Sequence, residues 1–295
     1  MNRRQFISRS AMLLAAGSVA GQQVFAESMA KSNKGRIGIQ LYSVKDELPK
    51  DFDGTLKKLS AMGYSSIEPY GFAEDDFFGH TMKELSKKVK DMGMSVSGSH
   101  IWTGIKPKDP DTKEWDFWKK CAARMKSGGA EWAILSSIPK PNSSDDLKRI
   151  ADYFNHAGKI CKEGGAKFGF HNHYDEFNKI NGEIALDYLI KNTEPKLVSF
   201  QLDLGHVING GGDIMHYVSD FPGRIKLWHA SDFDRTKREY TEAGKGDVPY
   251  TALFELAKSS GLERLIVEQE TKGDIFTSCK IDFDFLKQFR WTKVS

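Results

Sequence analysis

The chain has 295 residues, 39% of them hydrophobic and 28% charged, which suits a globular protein with a substantial core and excludes a disordered one. Its 43 basic and 40 acidic residues leave no strong positive balance, and this counts against a partner held through a phosphate backbone. Cys121, Cys161 and Cys279 are scattered with no CxxC spacing, so neither a disulfide framework nor a thiolate zinc site is indicated and ordinary buried thiols are expected.

The N-terminus reads as an export signal. "NRRQFISRS" sets paired arginines before the apolar run "AMLLAAGSVA", and "VFA" offers small residues for cleavage near Ala26. The Arg3-Arg4-x-Phe6 arrangement resembles a twin-arginine address. The apolar run is shorter than the roughly 20 residues that cross a bilayer, so no stable membrane anchor is expected; an uncleaved anchor is the alternative. Residues 1–26 are therefore read as a signal peptide and 27–35 as a leader. A single domain, 36–295, follows in the periplasm. Loss of Arg3, Arg4 and Arg9 with the signal would leave a nearly neutral mature chain.

Eight short apolar runs then follow in order: 36–43, 65–71, 95–101, 131–138, 167–174, 198–206, 224–232 and 264–270. Amphipathic patterns separate them. In 145–163, Leu147, Ile150, Phe154, Ala157 and Cys161 recur at three- and four-residue intervals, with Ser143 or Ser144 as N-cap and Gly164-Gly165 as a stop. Similar helices are expected to begin near Asp51, Met82, Thr112, Gly182, Asp213 and Thr251. Eight strand–helix units predict one (β/α)8 barrel. An open doubly wound sheet would carry a Gly-rich phosphate turn after its first strand, and "LYSVKDELPKD" has none.

Barrel enzymes gather their functional groups at the carboxyl ends of the strands. There this sequence places Glu68, His100, His171, His173, Asp203, His206, His229, Glu268 and Glu270. Imidazoles and carboxylates without thiolates suit a divalent ion such as Mn, Mg, Co or Zn in an open site. The pair in "FGFHNHY" supplies either ligands or a polar strand end. By alternation, Asn172 points to one face and His171 and His173 to the other, and Trp228 points away from His229 toward the helices.

The motifs "GIQLYSVKDEL", "IEPYG", "FGFHNHYDEF", "FQLDLGH", "WHASD" and "VEQE", taken in this order, resemble the xylose isomerase-like barrel superfamily of sugar isomerases and epimerases, inosose dehydratases and endonuclease IV. The resemblance implies Asp203, His229 and Glu268 as metal ligands and His206 as a contact to substrate oxygen. The familiar glutamate of the fifth strand is replaced by His171, with His173 competing for the place; if His171 is the ligand, His173 becomes an acid/base group beside Glu268 and His206. Endonuclease IV fits poorly, because no Asp-x-His pair follows the seventh strand. Glu68, His100, Trp102 and Glu270 are candidate substrate contacts, and Arg235 or Lys237 could reach in from a loop.

The function so implied is a metal-dependent sugar isomerase or epimerase. It would act on a small unphosphorylated sugar or keto-sugar by proton abstraction beside a carbonyl. Elimination by a 3-keto-glycoside lyase or hydratase is one alternative, and a non-catalytic periplasmic sugar- or metal-binding protein is another. No nucleic-acid partner is expected.

Overall fold

The computed structural model describes residues 37–71, 76–102, 110–289 and 291. The expected signal peptide and leader lie outside the described residues. Among the described residues no helix is long and apolar enough to cross a membrane.

Every expected strand segment contains one barrel strand. In order these are Ile37–Gln40, Ser66–Glu68, a third strand in two parts (Ser95–Val96 and Gly98–Ile101), Trp132–Leu135, Lys167–His171, Val198–Asp203, Ile225–Ala230 and Arg264–Val267. All pair in parallel with their neighbours, and the eighth returns to the first through Ile37 opposite Leu265. The ring is joined at Ser97. Its N–H donates to Ile67 O at 3.0 Å, and its carbonyl accepts from Glu131 N at 3.2 Å. Seven of the observed strands end before the expected runs do, where the backbone turns out of the sheet to build the site, and the third reaches its expected end at Ile101.

Alternation sorts the strand residues into two cores. The larger lies between strands and helices; Trp228, for instance, packs on Phe254 of helix Tyr250–Ser260 at 5.8 Å between ring centroids. The smaller fills the barrel interior with Trp132, Ile134, Leu227 and Ile266. A tryptophan inside so narrow a ring needs neighbours without side chains. A Cβ on Gly98 would stand 2.7 Å from both Cβ and O of Trp132, and one on Gly169 would meet Ile134 at 3.4 Å.

The helices begin close to where capping residues place them. Asp51 caps Phe52–Met62, Thr81 and Glu84 form a capping box on Met82–Asp91, Asp111 caps Thr112–Gly128, and Ser143 caps Ser144–Glu163. Two expectations need correction. The helix expected near Gly182 starts at Ala185, because Asn181 and Gly182, both at positive φ, form the tight turn of a hairpin, Lys179–Ile180 with Glu183–Ile184. The sixth strand does not run on to His206: Asp203 turns its carboxylate onto the N–H of His206 and starts a short helix, Leu204–Asn209.

Gly98→Ala is expected to lower the unfolding free energy by about 1–3 kcal/mol, since the contact it creates is with backbone and Cβ and cannot be relieved by a rotamer change. Urea titration measures this, and an unchanged midpoint would show that the third and fourth strands separate without cost.

Candidate active site

Two residues beyond the apolar floor, the interior positions become polar. Leu227 is followed on the same face by His229, Ile266 by Glu268, and Gly169 by His171, while Gln201 precedes Asp203. His171, Asp203, His229 and Glu268 are all buried, and one donor atom from each lies within 4.8 Å of the others. Two of these groups are incompletely satisfied. The Oδ1 of Asp203 accepts from His206 N at 2.7 Å and from the Ser231 hydroxyl at 2.5 Å, while Oδ2 is buried with no hydrogen-bond partner, 3.8 Å from His229 Nδ1. His171 Nδ1 is buried with no partner too. Burial, reinforced by the surrounding imidazoles, holds His171 well below the usual histidine range, so it is neutral at pH 7.

A buried polar atom left unpaired costs about 1–3 kcal/mol. An unpartnered carboxylate oxygen and a neutral ring nitrogen, set beside a second imidazole and a second carboxylate, form a donor set that suits a divalent cation. Two all-histidine groups, His100 with His171 and His229, and His171 with His173 and His206, meet the same distance limit but bring no carboxylate to balance the charge.

His229 lies between two carboxylates, with Nδ1 2.7 Å from Glu268 Oε2 and Nε2 2.8 Å from Glu68 Oε1. Burial lowers its pKa, but the Glu268 and Glu68 charges outweigh that and bring it to about 10. If one ring nitrogen holds a cation, the other keeps its N–H on a carboxylate, the arrangement that fixes the tautomer of a ligating histidine. Glu68 is fully buried and does not line the cavity above. It accepts from Gln40 Nε2 at 2.9 Å and Gln201 Nε2 at 3.0 Å. Burial would raise its pKa, but His100 and His229 more than compensate and hold it well below the usual carboxylate range. Glu68, a candidate substrate contact from the sequence, is thus placed beneath the cavity lining with its carboxylate on His229.

The cavity over this floor has a volume of about 510 Å³. It is lined by the expected His100, Trp102, His171, His173, His206, Glu268 and Glu270, and also by Tyr42, Tyr70, Ser136, Ser137, Tyr174 and Tyr240. A larger groove of about 780 Å³ lies on the outer face between helices Thr112–Gly128 and Ser144–Glu163 and contains none of the expected site residues.

Burial, then the neighbouring His206, lowers His173 to about 4, and its backbone N–H is fixed by Glu176 Oε2 at 2.7 Å. Glu270 keeps 32% of its side chain exposed at the mouth. Its partial desolvation and the Glu268 carboxylate raise it to about 7. His206 Nε2 lies 3.8 Å from Glu270 Oε1, and its Nδ1 is in short contact with the Tyr240 hydroxyl. Burial raises Tyr240 far above the neutral range, so it is a neutral phenol, and its hydroxyl also accepts from Asn209 Nδ2 at 3.2 Å; if its O–H donates to Nδ1, the ring hydrogen of His206 sits on Nε2.

Tyr240 comes from the hairpin of Asp232–Asp234 and Glu239–Thr241. The Asp232 carboxylate holds the connection by accepting from Phe233, Gly244, Gly246 and Val248 N–H groups. Arg235 and Lys237, expected to reach inward, do not. Arg235 is exposed with its backbone N on Asp247, and Lys237 Nζ pairs with Asp234 at 3.1 Å. Nothing in "REYTEAGKGD" separates Tyr240 from an exposed hairpin residue, because its role depends on His206, 34 positions away.

Metal analysis of the purified protein tests the ligand set. Asp203→Ala and His171→Ala are each expected to lose the ion, with affinity reduced about 10-fold or more, and His173→Ala to retain it. Loss in His173→Ala with retention in Asp203→Ala would move the ion to the all-histidine group.

The family model described as "Xylose isomerase-like TIM barrel" matches residues 56–291. An inosose dehydratase of Clostridium perfringens is 26% identical over 146 residues, 43% of this chain and 48% of that protein, so the match spans about half of its length. One of Geobacillus kaustophilus is 24% identical over 222 residues, 68% of this chain and 70% of that protein. A sugar phosphate isomerase/epimerase structure from Parabacteroides distasonis superposes with a TM-score of 0.77 at 27% identity, covering 86% of this chain and 94% of that one. With its barrel closed at Ser97 and most of its described length matched by that model, the chain belongs to the xylose isomerase-like TIM barrel family.

Proposed function

We propose that this chain is a divalent-metal-dependent enzyme that removes a proton from the carbon beside a carbonyl in a small unphosphorylated sugar or keto-sugar. One observation carries the reading. A buried set of two imidazoles and two carboxylates, with His171 Nδ1 and Asp203 Oδ2 unpartnered, opens onto a cavity walled by His173, His206 and Glu270. His171, Asp203, His229 and Glu268 would hold the ion, which when bound polarises carbonyl and hydroxyl oxygens of a substrate.

The remaining steps fall to the side chains. His173, neutral at pH 7, accepts a proton. Glu270, its carboxyl raised to about 7 by burial and the Glu268 charge, returns or delivers one. His206 Nε2–H, its tautomer set by Tyr240, donates to a substrate oxygen. No lysine or arginine is among the described residues lining the cavity, and the Lys45 ammonium stands over the ring of Tyr42 at its mouth.

Isomerisation, epimerisation and elimination share this first proton abstraction. The resemblance anticipates glutamate where His171 stands, so the acid/base groups beside the metal set are an imidazole and a carboxyl instead of two like carboxylates. Such a pair suits elimination at least as well as epimerisation. His173 takes the proton as the C–H bond breaks, its electrons form the new C=C bond, and the departing hydroxyl or alkoxide leaves with the C–O electrons and receives a proton from Glu270. The likeness to inosose dehydratases supports this second reading, and a 3-keto-glycoside lyase or hydratase would be its exported form. Export through residues 1–26 would expose the enzyme to free sugars and glycosides instead of cytoplasmic sugar phosphates.

Proton NMR in D₂O tests the chemistry on a panel of sugars, keto-sugars and keto-glycosides. Exchange beside the carbonyl should require added Mn or Zn and stop with chelator; elimination releases a leaving group, whereas isomerisation conserves mass. His173→Ala should keep its metal and lose about 10²–10⁴-fold in rate. Absence of exchange across the whole panel would favour a binding protein. For export, Arg3→Lys together with Arg4→Lys should hold the precursor in the cytoplasm, and an unchanged periplasmic yield would point to another route.

A further inference from the structure

Among the described residues, four large hydrophobic side chains are markedly exposed: Trp102 at 67%, Tyr174 at 49%, and Tyr42 and Phe78 at 41% each. Phe78 stacks on Phe52, with ring centroids 5.5 Å apart. The other three all line the cavity above the candidate metal floor. Single exposed aromatics are ordinary on a protein surface, but three at one mouth mark a place where apolar surface is kept ready for a ligand.

Their positions form a second layer. Tyr42 stands two residues beyond Gln40, Trp102 two beyond His100 and Tyr174 three beyond His171. Each thus follows the carboxyl end of one of three alternate barrel strands, the first, third and fifth. The inner layer offers imidazoles, carboxylates and a candidate cation site. The outer layer offers aromatic surface, with the Lys45 ammonium 3.8 Å from the Tyr42 ring centroid as a nearby cation. A ligand that satisfies both layers has a polar reacting end and, a few ångströms away, a neutral ring with an apolar face.

The volume agrees. The twelve non-hydrogen atoms of a hexose, even at the ~30 Å³ that a water occupies in the liquid, fill at most about 360 Å³. The cavity measures about 510 Å³ and is open at the aromatic rim. A single sugar on the floor therefore leaves the collar uncovered.

We infer that Trp102, Tyr174 and Tyr42 form an outer subsite for the second ring of a glycoside, so that the preferred ligand is a two-ring glycoside and not a free monosaccharide. The inference rests on the reading that the floor takes a sugar, but binding measurements test it without turnover. The C–H face of a pyranose or the face of an aryl aglycone meets the same stacking requirement, and the choice of probes separates them.

The experiment is calorimetric titration of the full-length mature protein, metal-loaded, with methyl β-glucoside, cellobiose and 4-nitrophenyl β-glucoside. At least one two-ring probe is expected to bind about tenfold or more tighter than the methyl glucoside, the scale that two stacked aromatic contacts supply. Preference for cellobiose assigns a sugar ring to the subsite, and preference for the nitrophenyl glucoside an aryl ring. Trp102→Ala with Tyr174→Ala should bring the ratio of affinities close to one, while Trp102→Phe should preserve most of the preference. These side chains are exposed, and an unchanged melting temperature would confirm that the variants fold. Equal affinity for one- and two-ring probes, a preference that survives in the double variant, or no binding of any two-ring probe up to its solubility limit would each overturn the inference. Ring preference without proton exchange would sink the proposed chemistry and leave the subsite standing; exchange without ring preference would do the reverse.

Discussion

Charge taken out of water inside the barrel is the constraint on which the site depends. Glu68, Glu268 and Asp203 are buried around His229, with carboxylate oxygens 2.8, 2.7 and 3.8 Å from its ring nitrogens, and isolated carboxylates in such a place would neutralise by taking up protons or cost several kcal/mol each. The protein answers with imidazole. His229 bridges Glu68 and Glu268, His100 lies 3.1 Å from Glu68, and Gln40 and Gln201 supply neutral donors. Asp203 Oδ2 still has no hydrogen-bond partner, and burial raises the pKa of that carboxyl. A divalent cation would offset that burial, so the call for a metal would arise from the floor itself as well as from any reaction above it.

That floor can exist only because the layer below is sealed. The barrel admits one side chain at every second position, and Trp132, Ile134, Leu227 and Ile266 occupy those positions with help from the bare backbone at Gly98 and Gly169. Two residues further along the same strands the same geometry points His171, His229 and Glu268 into the ring. The apolar plug and the polar floor are consecutive layers of one alternating pattern. A change that loosened the plug would admit water beneath the carboxylates and weaken every electrostatic contact above it.

This regularity is why so much was legible in the sequence. Buried strands announce themselves as short apolar runs, and in a barrel the polar residue that ends each run belongs to the mouth; hence the eight strands and the gathering of His171, Asp203, His229 and Glu268 at one place could be anticipated. What escaped depends on contacts between distant positions. "QLDLGH" reads as continuous strand until Asp203 is seen to cap His206, and that cap competes with the sheet for the same backbone. Glu68 looks like its neighbours at strand ends, yet the second strand is only three residues long and its end lies under Gln40, Gln201 and His229. Tyr240 sits in a polar hairpin whose sequence says loop, and only Asp232, by gathering four backbone N–H groups, brings that hairpin over His206. Asn181-Gly182 did carry a local signal, the tight-turn dipeptide, which the longer helical pattern around it obscured.

The two layers divide chemistry from selection. On the proposed reading, residues of the strand ends and the first turn of Leu204–Asn209 would set what can be done to a substrate, since they hold charged groups at fixed places braced by backbone contacts. Residues beyond them at the mouth, Tyr42, Trp102 and Tyr174, would set what can arrive, and among the described residues no hydrogen bond joins their side chains to the carboxylates below. A loop aromatic can therefore be exchanged without disturbing the carboxylate balance, whereas replacing Glu68 or Asp203 changes the charge that the whole floor must accommodate. A family sharing this barrel can vary its substrates cheaply at the rim while its floor resists change, and His171 in place of the glutamate implied by the resemblance is then a change of the costlier kind. Such a change alters the charge and symmetry of the metal set, which is where a difference between epimerisation and elimination would have to originate.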